Sequence, residues 1–361
     1  MSNLKSIGFM KKTVIFTFCL LMFLAFAVVF PSSVYAAEGD KTYGDFRYTV
    51  GEEGVYITEY TGASKEVQIP QKIEDKSVVG IDAEAFWYKS DIVTIELPDT
   101  LVAIGSRAFQ GCKSLESVEL PESIMILEDA CFAQCESLES INIPESLYYV
   151  GGGAFDDTPF IAEYKDDSII LDDRIFYFYR GTSDYVEIPE GITCISASAF
   201  LECDSIARVE IPETVEIIGS YAFYGCDSLK SIKLPKNLTE LGPYAFGCYT
   251  EPENPEPQVM KDFIIYSDYS DSSGNQSVGS AYAEEYGLTL KASSEEPHYV
   301  PLEERDNSKI SGKTVLLIVF VSILVIVVGG GMLWGFLSDK KAKEAAKNNR
   351  SKNRNKKKNK R

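Results

Sequence analysis

Phenylalanine recurs at Phe86, Phe109, Phe132, Phe155, Phe200, Phe223 and Phe246, at intervals of 23, 23, 23, 45, 23 and 23 residues. Proline keeps the same register at Pro70, Pro98, Pro121, Pro144, Pro189, Pro212 and Pro235, with intervals of 28, 23, 23, 45, 23 and 23. Two residue types sharing one period is the signature of a repeat architecture. A unit of 23 residues cannot bury an apolar face alone, so its neighbours must cover it and the units must stack.

One unit runs from Leu115 through Val118, Leu120 and Pro121 to Ile124, Ile126, Cys131, Phe132 and Cys135. Val118 and Leu120 lie two residues apart, on one face of a short strand, with Glu119 on the other. Pro121 has no amide hydrogen and ends the ladder. The alternation repeats at Ile95/Leu97, Ile141/Ile143, Val186/Ile188, Val209/Ile211 and Ile232/Leu234. Gly105, Gly151, Gly219 and Gly242 mark a chain reversal, for which positive φ is expected. Seven or eight rungs at ~4.8 Å predict a single stack of roughly 35–40 Å.

The segments LESVELPESIMILEDACFAQC from Leu115 and SIARVEIPETVEIIGSYAFYGC from Ser205 resemble the BspA-like leucine-rich repeats of bacterial surface proteins over about residues 64–250. The resemblance implies a curved solenoid and surface adhesion or protein recognition. Two departures stand out. Residues 160–182 interrupt the repeats with IILDDRIFYFYRG, which reads as a hairpin, and Leu127-Glu128 replaces the usual Ile-Gly.

The expected fold is therefore a β-rich leucine-rich repeat solenoid, a parallel strand stack of 23-residue repeats, plus one C-terminal transmembrane helix. Residues 37–63 read as an N-terminal cap hairpin, because Phe46–Val50 and Val55–Tyr60 alternate with period two around Gly51–Gly54. Residues 64–250 form the solenoid, interrupted at 160–182. Residues 251–290 read as a C-terminal cap: a Pro/Glu-rich loop at Glu251–Pro257, a strand at Phe263–Tyr266, and a helix at Ser280–Gly287 stopped by glycine. Residues 291–313 are polar and read as a stalk.

The two ends give an address. Lys11 and Lys12 precede an apolar run, Thr13–Phe30, and Val34-Tyr35-Ala36 fits a signal-peptidase site, so 1–36 reads as a signal peptide cleaved after Ala36. Met10 is an alternative start. Thr314–Leu337 is 24 residues without charge. At ~1.5 Å per residue it can cross a core of ~30 Å as a helix. Residues 338–361 carry twelve basic and two acidic residues, which predicts a cytoplasmic tail touching anionic lipid headgroups and an extracellular solenoid. Gly331 and Gly335 form a small-xxx-small pair suited to a weak homodimer.

The chain's net charge of -19 hides a strong asymmetry, because residues 37–313 carry -32. Such a surface repels phosphate backbones and excludes nucleic acid. The chain has one histidine, His298, in the polar stalk, so a Ser/His/Asp triad has no base within the solenoid. Paired carboxylates are abundant through composition alone, and neither a phosphate-binding glycine loop nor EF-hand spacing is present. The expectation is a non-enzyme with no catalytic residue, cofactor or metal. Cys112, Cys135, Cys203, Cys226 and Cys248 follow the anchoring phenylalanines, a position that favours buried thiols over disulfides or a metal.

The outward strand positions carry the candidate contacts. They include Thr94 and Glu96, Ser117 and Glu119, Tyr185 and Glu187, Arg208 and Glu210, and Ser231 and Lys233. Glu96 and Glu119 are expected as direct ladder neighbours, as are Glu187 and Glu210. Like charges placed so are destabilising, so this face is either a solvated edge or a surface kept for a partner. Glu96, Glu119, Tyr185, Glu187, Arg208 and Glu210 are the candidate partner-binding residues, Tyr and Arg being favoured at interface hot spots. The reading is membrane-anchored recognition or adhesion toward an extracellular protein. A sensor or accessory subunit acting on a membrane partner is the first alternative, and an enzyme with a site near 160–182 the second.

Overall fold

The structure is a computed structural model that describes residues 41–296 apart from 252, 253 and 272. The signal segment 1–36, His298, most of the stalk, the apolar run 314–337 with Gly331 and Gly335, and the basic tail lie outside the described residues. Among the described residues no helix is long and apolar enough to cross a membrane.

The repeats stack as a β-solenoid of about 10 turns. Each turn contributes two short strands rather than one. The first column holds the Val-x-Ile/Leu-Pro strands, such as Thr94–Glu96, Tyr185–Glu187 and Arg208–Glu210. The second holds two-residue strands just before the turn, at which a glycine stands in four of six cases: Ala103–Ile104, Ile126–Leu127 and Tyr149–Val150, then Cys194–Ile195, Ile217–Ile218 and Glu240–Leu241. A third column has no strand label but is bonded from rung to rung. The amide of Phe86 donates to the Ala108 carbonyl (2.8 Å), Phe109 to Cys131 (2.8 Å) and Phe132 to Ala154 (2.8 Å). These bonds set the 23-residue spacing and bury the phenylalanines as a ring stack, with Phe86–Phe109 at 4.8 Å and Phe109–Phe132 at 5.2 Å. Beside three of the rings a buried thiol donates back one rung: Cys112 to the Phe86 carbonyl (3.3 Å), Cys135 to Phe109 (3.2 Å), Cys226 to Phe200 (3.1 Å). Burial pushes the Cys112 and Cys226 thiols up to about 12, which keeps them protonated donors rather than nucleophiles.

The stack is not continuous. The second column splits into one sheet that ends at Tyr149–Val150 and another that begins with the hairpin Ser168–Leu171 and Ile175–Tyr179. Residues 160–182 do form a hairpin, yet its second strand also pairs in parallel with Cys194–Ile195 and starts a new run of rungs. The same arrangement begins the first run of rungs, where Phe46–Val50 and Val55–Tyr60 form a hairpin whose second strand pairs in parallel with Lys76–Ile81. The two starts are copies. Tyr60-Thr-Gly62-Ala-Ser64 and Tyr179-Arg-Gly181-Thr-Ser183 each place the tyrosine hydroxyl as acceptor for the serine amide, at 3.3 and 3.2 Å.

Each block also ends in the same way. Phe155 and Phe246 have no further alanine carbonyl to receive their amides, and a buried orphan N–H is costly. A tyrosine hydroxyl takes its place: Tyr177 accepts from Phe155 (2.9 Å) and Tyr282 from Phe246 (2.9 Å). Arg174 performs the matching task for carbonyls, donating to Pro144 (3.1 Å) and Leu147 (3.1 Å) at the end of the first block. Core packing follows the split only in part: Ile169, Leu171, Ile175 and Tyr177 of the second hairpin, with Cys194 and Ile217, join the first core, whereas Phe176 and Tyr179 join the second.

Three expectations are corrected. Gly105, Gly151, Gly219 and Gly242 do not have positive φ; that conformation falls on other turn residues, among them Arg107, Ala130, Tyr221 and Tyr244. These glycines are needed because a Cβ would meet the backbone of the rung below, at 2.6 Å for Gly105 and 2.4 Å for Gly219. Glu128 stands in the place of such a glycine, and its carboxylate accepts from the Ser106 amide (2.9 Å) and hydroxyl (2.8 Å) of the rung beneath it. The second correction is the Glu251–Pro257 loop, which belongs to an antiparallel hairpin of Cys248–Glu251 with Asn254–Val259. The third is the start of the stalk. Thr289–Lys291 pairs with Ile264–Tyr266 and Ser293–Glu295 is a 3-10 turn, so the cap extends to Glu296. The expected strand at 263–266 and the helix, Val278–Tyr286 with Gly287 at φ 65°, are present.

Glu240 lies half-buried near Tyr149 and Cys194, where the blocks meet, and burial pushes its carboxyl up to about 7. An acid whose native pKa is raised destabilises the fold when ionised. The penalty is absent below the unfolded value, grows as pH rises through the interval, and is complete above about 7. Glu240→Gln is therefore expected to raise Tm at pH 8, by an effect on the order of 2 kcal/mol, and to leave Tm unchanged at pH 4. Thermal melts of both proteins at the two pH values check this.

Candidate functional site

The first strand column displays the first and third residue of each strand outward because Val186 and Val209 point into the core. Parallel pairing sets Tyr185 beside Arg208 and Glu187 beside Glu210. The like-charged pair read from the sequence is thus present, and it sits at a point where the column changes. Tyr185–Glu187 and Arg208–Glu210 form a two-stranded ladder, whereas Ser231–Lys233 belongs to a separate sheet with Ile264–Tyr266 and Thr289–Lys291. At the gap lies a pocket of about 320 Å³, lined among others by Glu187, Arg208, Glu210, Glu213, Lys233 and Glu296.

The electrostatics of the gap are specific. Arg208 donates from Nε (3.3 Å) and Nη2 (3.0 Å) to Glu210 Oε1, and its Nη1 lies 3.4 Å from Glu296 Oε1. Lys233 Nζ lies 3.3 Å from the other oxygen of Glu296. One carboxylate thereby bridges two cations from two sheets. The Arg208 and Glu296 side chains are each only 20% exposed, so this network is less screened than an ordinary surface pair. Burial, together with the Glu210 and Glu187 carboxylates, pushes the Tyr185 phenol up to about 12, so it stays a neutral donor toward Glu210.

The other two candidates lie elsewhere. Glu96 is paired across its ladder with Gln68, whose Nε2 donates to it at 2.8 Å. Glu119 follows Ser117–Val118, which pairs with Ser140–Ile141 and not with Thr94–Glu96. Glu96 and Glu119 are therefore not hydrogen-bonded ladder partners, and neither lines the pocket. A further side-chain contact marks the opposite edge of the Ser117–Val118 strand, toward the next rung. Asn142 turns its amide onto the backbone of Leu120, accepting from its N–H (2.6 Å) and donating to its carbonyl (2.9 Å), on the side of the strand that faces Ser140–Ile141. Sequence reasoning missed Glu296, assigned to the stalk, and passed over Lys233. The alternation of Leu288, Thr289 and Leu290 was the available signal that the chain still ran as a strand there. Among the described residues no group of His, Cys, Asp and Glu is placed to hold a metal ion.

A comparison with curated proteins gives no match. Solved structures similar to this chain include a leucine-rich repeat protein from Bacteroides ovatus, at 28% identity over 58% of this chain and 50% of that one, with a TM-score of 0.34. The match therefore spans half the length of that protein. A leucine-rich repeat protein of T. pallidum matches at 23% identity over 70% of this chain and 98% of its own, TM-score 0.35. One from Bacteroides capillosus matches at 26% identity over 34% and 97%, TM-score 0.30. The family model for the BspA type leucine rich repeat region matches six copies over residues 59–178 and 170–256. With its two-strand rungs, stacked phenylalanines and this match across more than half its length, the chain belongs to the BspA-type leucine-rich repeat family.

Proposed function

We propose that this chain is a non-catalytic recognition protein of the cell surface, held to the membrane by residues 314–337, whose solenoid binds an extracellular protein through the first strand column. The observation that carries the reading is the juxtaposition of Tyr185, Glu187, Arg208 and Glu210 on one ladder, beside a pocket that Lys233 and Glu296 complete. The column combines a neutral phenol, a largely shielded guanidinium and several carboxylates, the side-chain types that set orientation and specificity in protein interfaces. A sensor role is the second reading. It is favoured by the ion pairs that seat Glu296 directly on that column, just before the polar segment that leads to residues 314–337 in the sequence.

Pull-down with the 37–300 fragment against a panel of extracellular proteins tests the proposal. The fragment should retain a partner, and Tyr185→Ala should weaken retention at least ~10-fold, the loss typical of a hot-spot residue. Retention indifferent to substitutions along the column, or hydrolytic turnover above a denatured control, would defeat it.

A further inference from the structure

Resting on the column as a recognition surface, we infer that the pocket beside Arg208–Glu210 and Ser231–Lys233 recognises a carboxylate, that Glu296 at its edge holds the two cations as an internal stand-in, and that the partner presents a single Glu or Asp flanked by basic residues. Three observations converge on this. The hydrogen-bonded ladder ends at Arg208–Glu210, and a pocket of about 320 Å³ runs across the ends of three successive strands here, from Glu187 through Glu210 to Lys233. The two cations facing it come from different sheets, and each takes a separate oxygen of one carboxylate, at 3.4 and 3.3 Å. That carboxylate arrives from far along the chain on a short 3-10 turn, held to the column by two ion pairs.

The surrounding charge defines what can replace it. Glu187, Glu190, Glu210 and Glu213 line the same pocket. They repel a polyacidic segment and favour one whose carboxylate stands between lysines or arginines. Glu296 itself follows Glu295 and precedes Pro297, so it brings no positive flank. Its advantage is tethering, which gives it a high effective concentration despite imperfect complementarity. A ligand with the right flanks competes with the stand-in, and its apparent affinity is reduced by the fraction of molecules in which Glu296 is seated.

The test uses the full chain in detergent and three labelled peptides followed by fluorescence anisotropy: Gly-Lys-Glu-Lys-Gly, its Lys-Gln-Lys counterpart, and Gly-Glu-Glu-Glu-Gly. Glu296→Gln should bind the Lys-Glu-Lys peptide about 10-fold tighter than the parent chain, because the competitor has been weakened. The Gln and triple-Glu peptides should bind Glu296→Gln at least ~10-fold more weakly than Lys-Glu-Lys. Adding Lys233→Gln should abolish the gain, and Glu295→Gln, outside the pocket, should leave the affinity as in the parent. Unchanged melting curves exclude misfolding as the cause of any loss. Equal binding by the parent and Glu296→Gln, indifference to Glu versus Gln in the peptide, or absence of binding overturns the inference. If the peptides fail while partner capture still depends on Tyr185, the pocket assignment falls and the recognition reading stands; if both fail, both fall.

Discussion

Phe109→Ala is expected to cost about 4 kcal/mol and to lower Tm by roughly 10 °C. Phe109 is fully buried between Phe86 and Phe132, with ring centroids 4.8 and 5.2 Å away and the Phe132 ring nearly parallel. Truncation removes both stacking contacts and leaves a cavity that rungs bonded on either side cannot collapse into. Because a stacked array is held by nearest-neighbour interfaces, loss at one rung should spread through its own block first. Hydrogen exchange should therefore accelerate in residues 41–158 before 168–290. Leu201→Ala, at an exposed apolar side chain, is the control and should move Tm by little. A Phe109→Ala protein that melts like the parent would mean that the ring stack does not carry the fold.

The second large effect is expected at Gly219. A Cβ there would stand 2.4 Å from the Ala197 amide nitrogen and 2.7 Å from its Cα. Both atoms are backbone, so no side chain can swing aside. Relief requires the two rungs to separate, against the 2.8 Å bond from the Gly219 amide to the Ile195 carbonyl. Gly219→Ala should cost about 3 kcal/mol. The penalty is steric and not conformational, since Gly219 has no positive φ. Gly274→Ala gives the opposite case, with positive φ and open space around the Cβ. Denaturant titration of both variants separates the two mechanisms: a loss at Gly274 as large as that at Gly219 would show that backbone conformation, not rung spacing, sets the cost.

Much of this architecture is legible in the residues. The 23-residue register of Phe and Pro places every anchoring ring correctly, because one amide-to-carbonyl bond per rung locks the period. The Val-x-Ile-Pro strands follow from period-two alternation and the missing proline amide. The second strand column was not legible, since two-residue strands such as Ile126–Leu127 are too short to show any alternation. The duplication was visible in principle, in the shared Tyr-x-Gly-x-Ser-x-x-Val-x-Ile-Pro of Tyr60–Pro70 and Tyr179–Pro189, but the five additional residues between Pro70 and Pro98 obscure it. They fold into the antiparallel pair Lys72–Ile73 with Lys76–Ile81.

The candidate site divides in the same way. Tyr185, Glu187, Arg208 and Glu210 sit side by side as their spacing requires, because parallel strands in a fixed period align equivalent positions. Glu96 and Glu119 obey the same spacing yet are not ladder partners, because hydrogen bonding between successive rungs is not determined by spacing alone.

The periodic residues by themselves determined that this chain stacks, which side chains form its interior, and which ones line its outer column, since each of these depends only on distance along the chain. Tertiary structure alone decided where the ladder breaks, that tyrosine hydroxyls cap the ends of the two blocks, and that Glu296 reaches Arg208 and Lys233. Those outcomes depend on orphaned amides finding acceptors and on charges meeting across long stretches of sequence, and neither leaves a periodic trace.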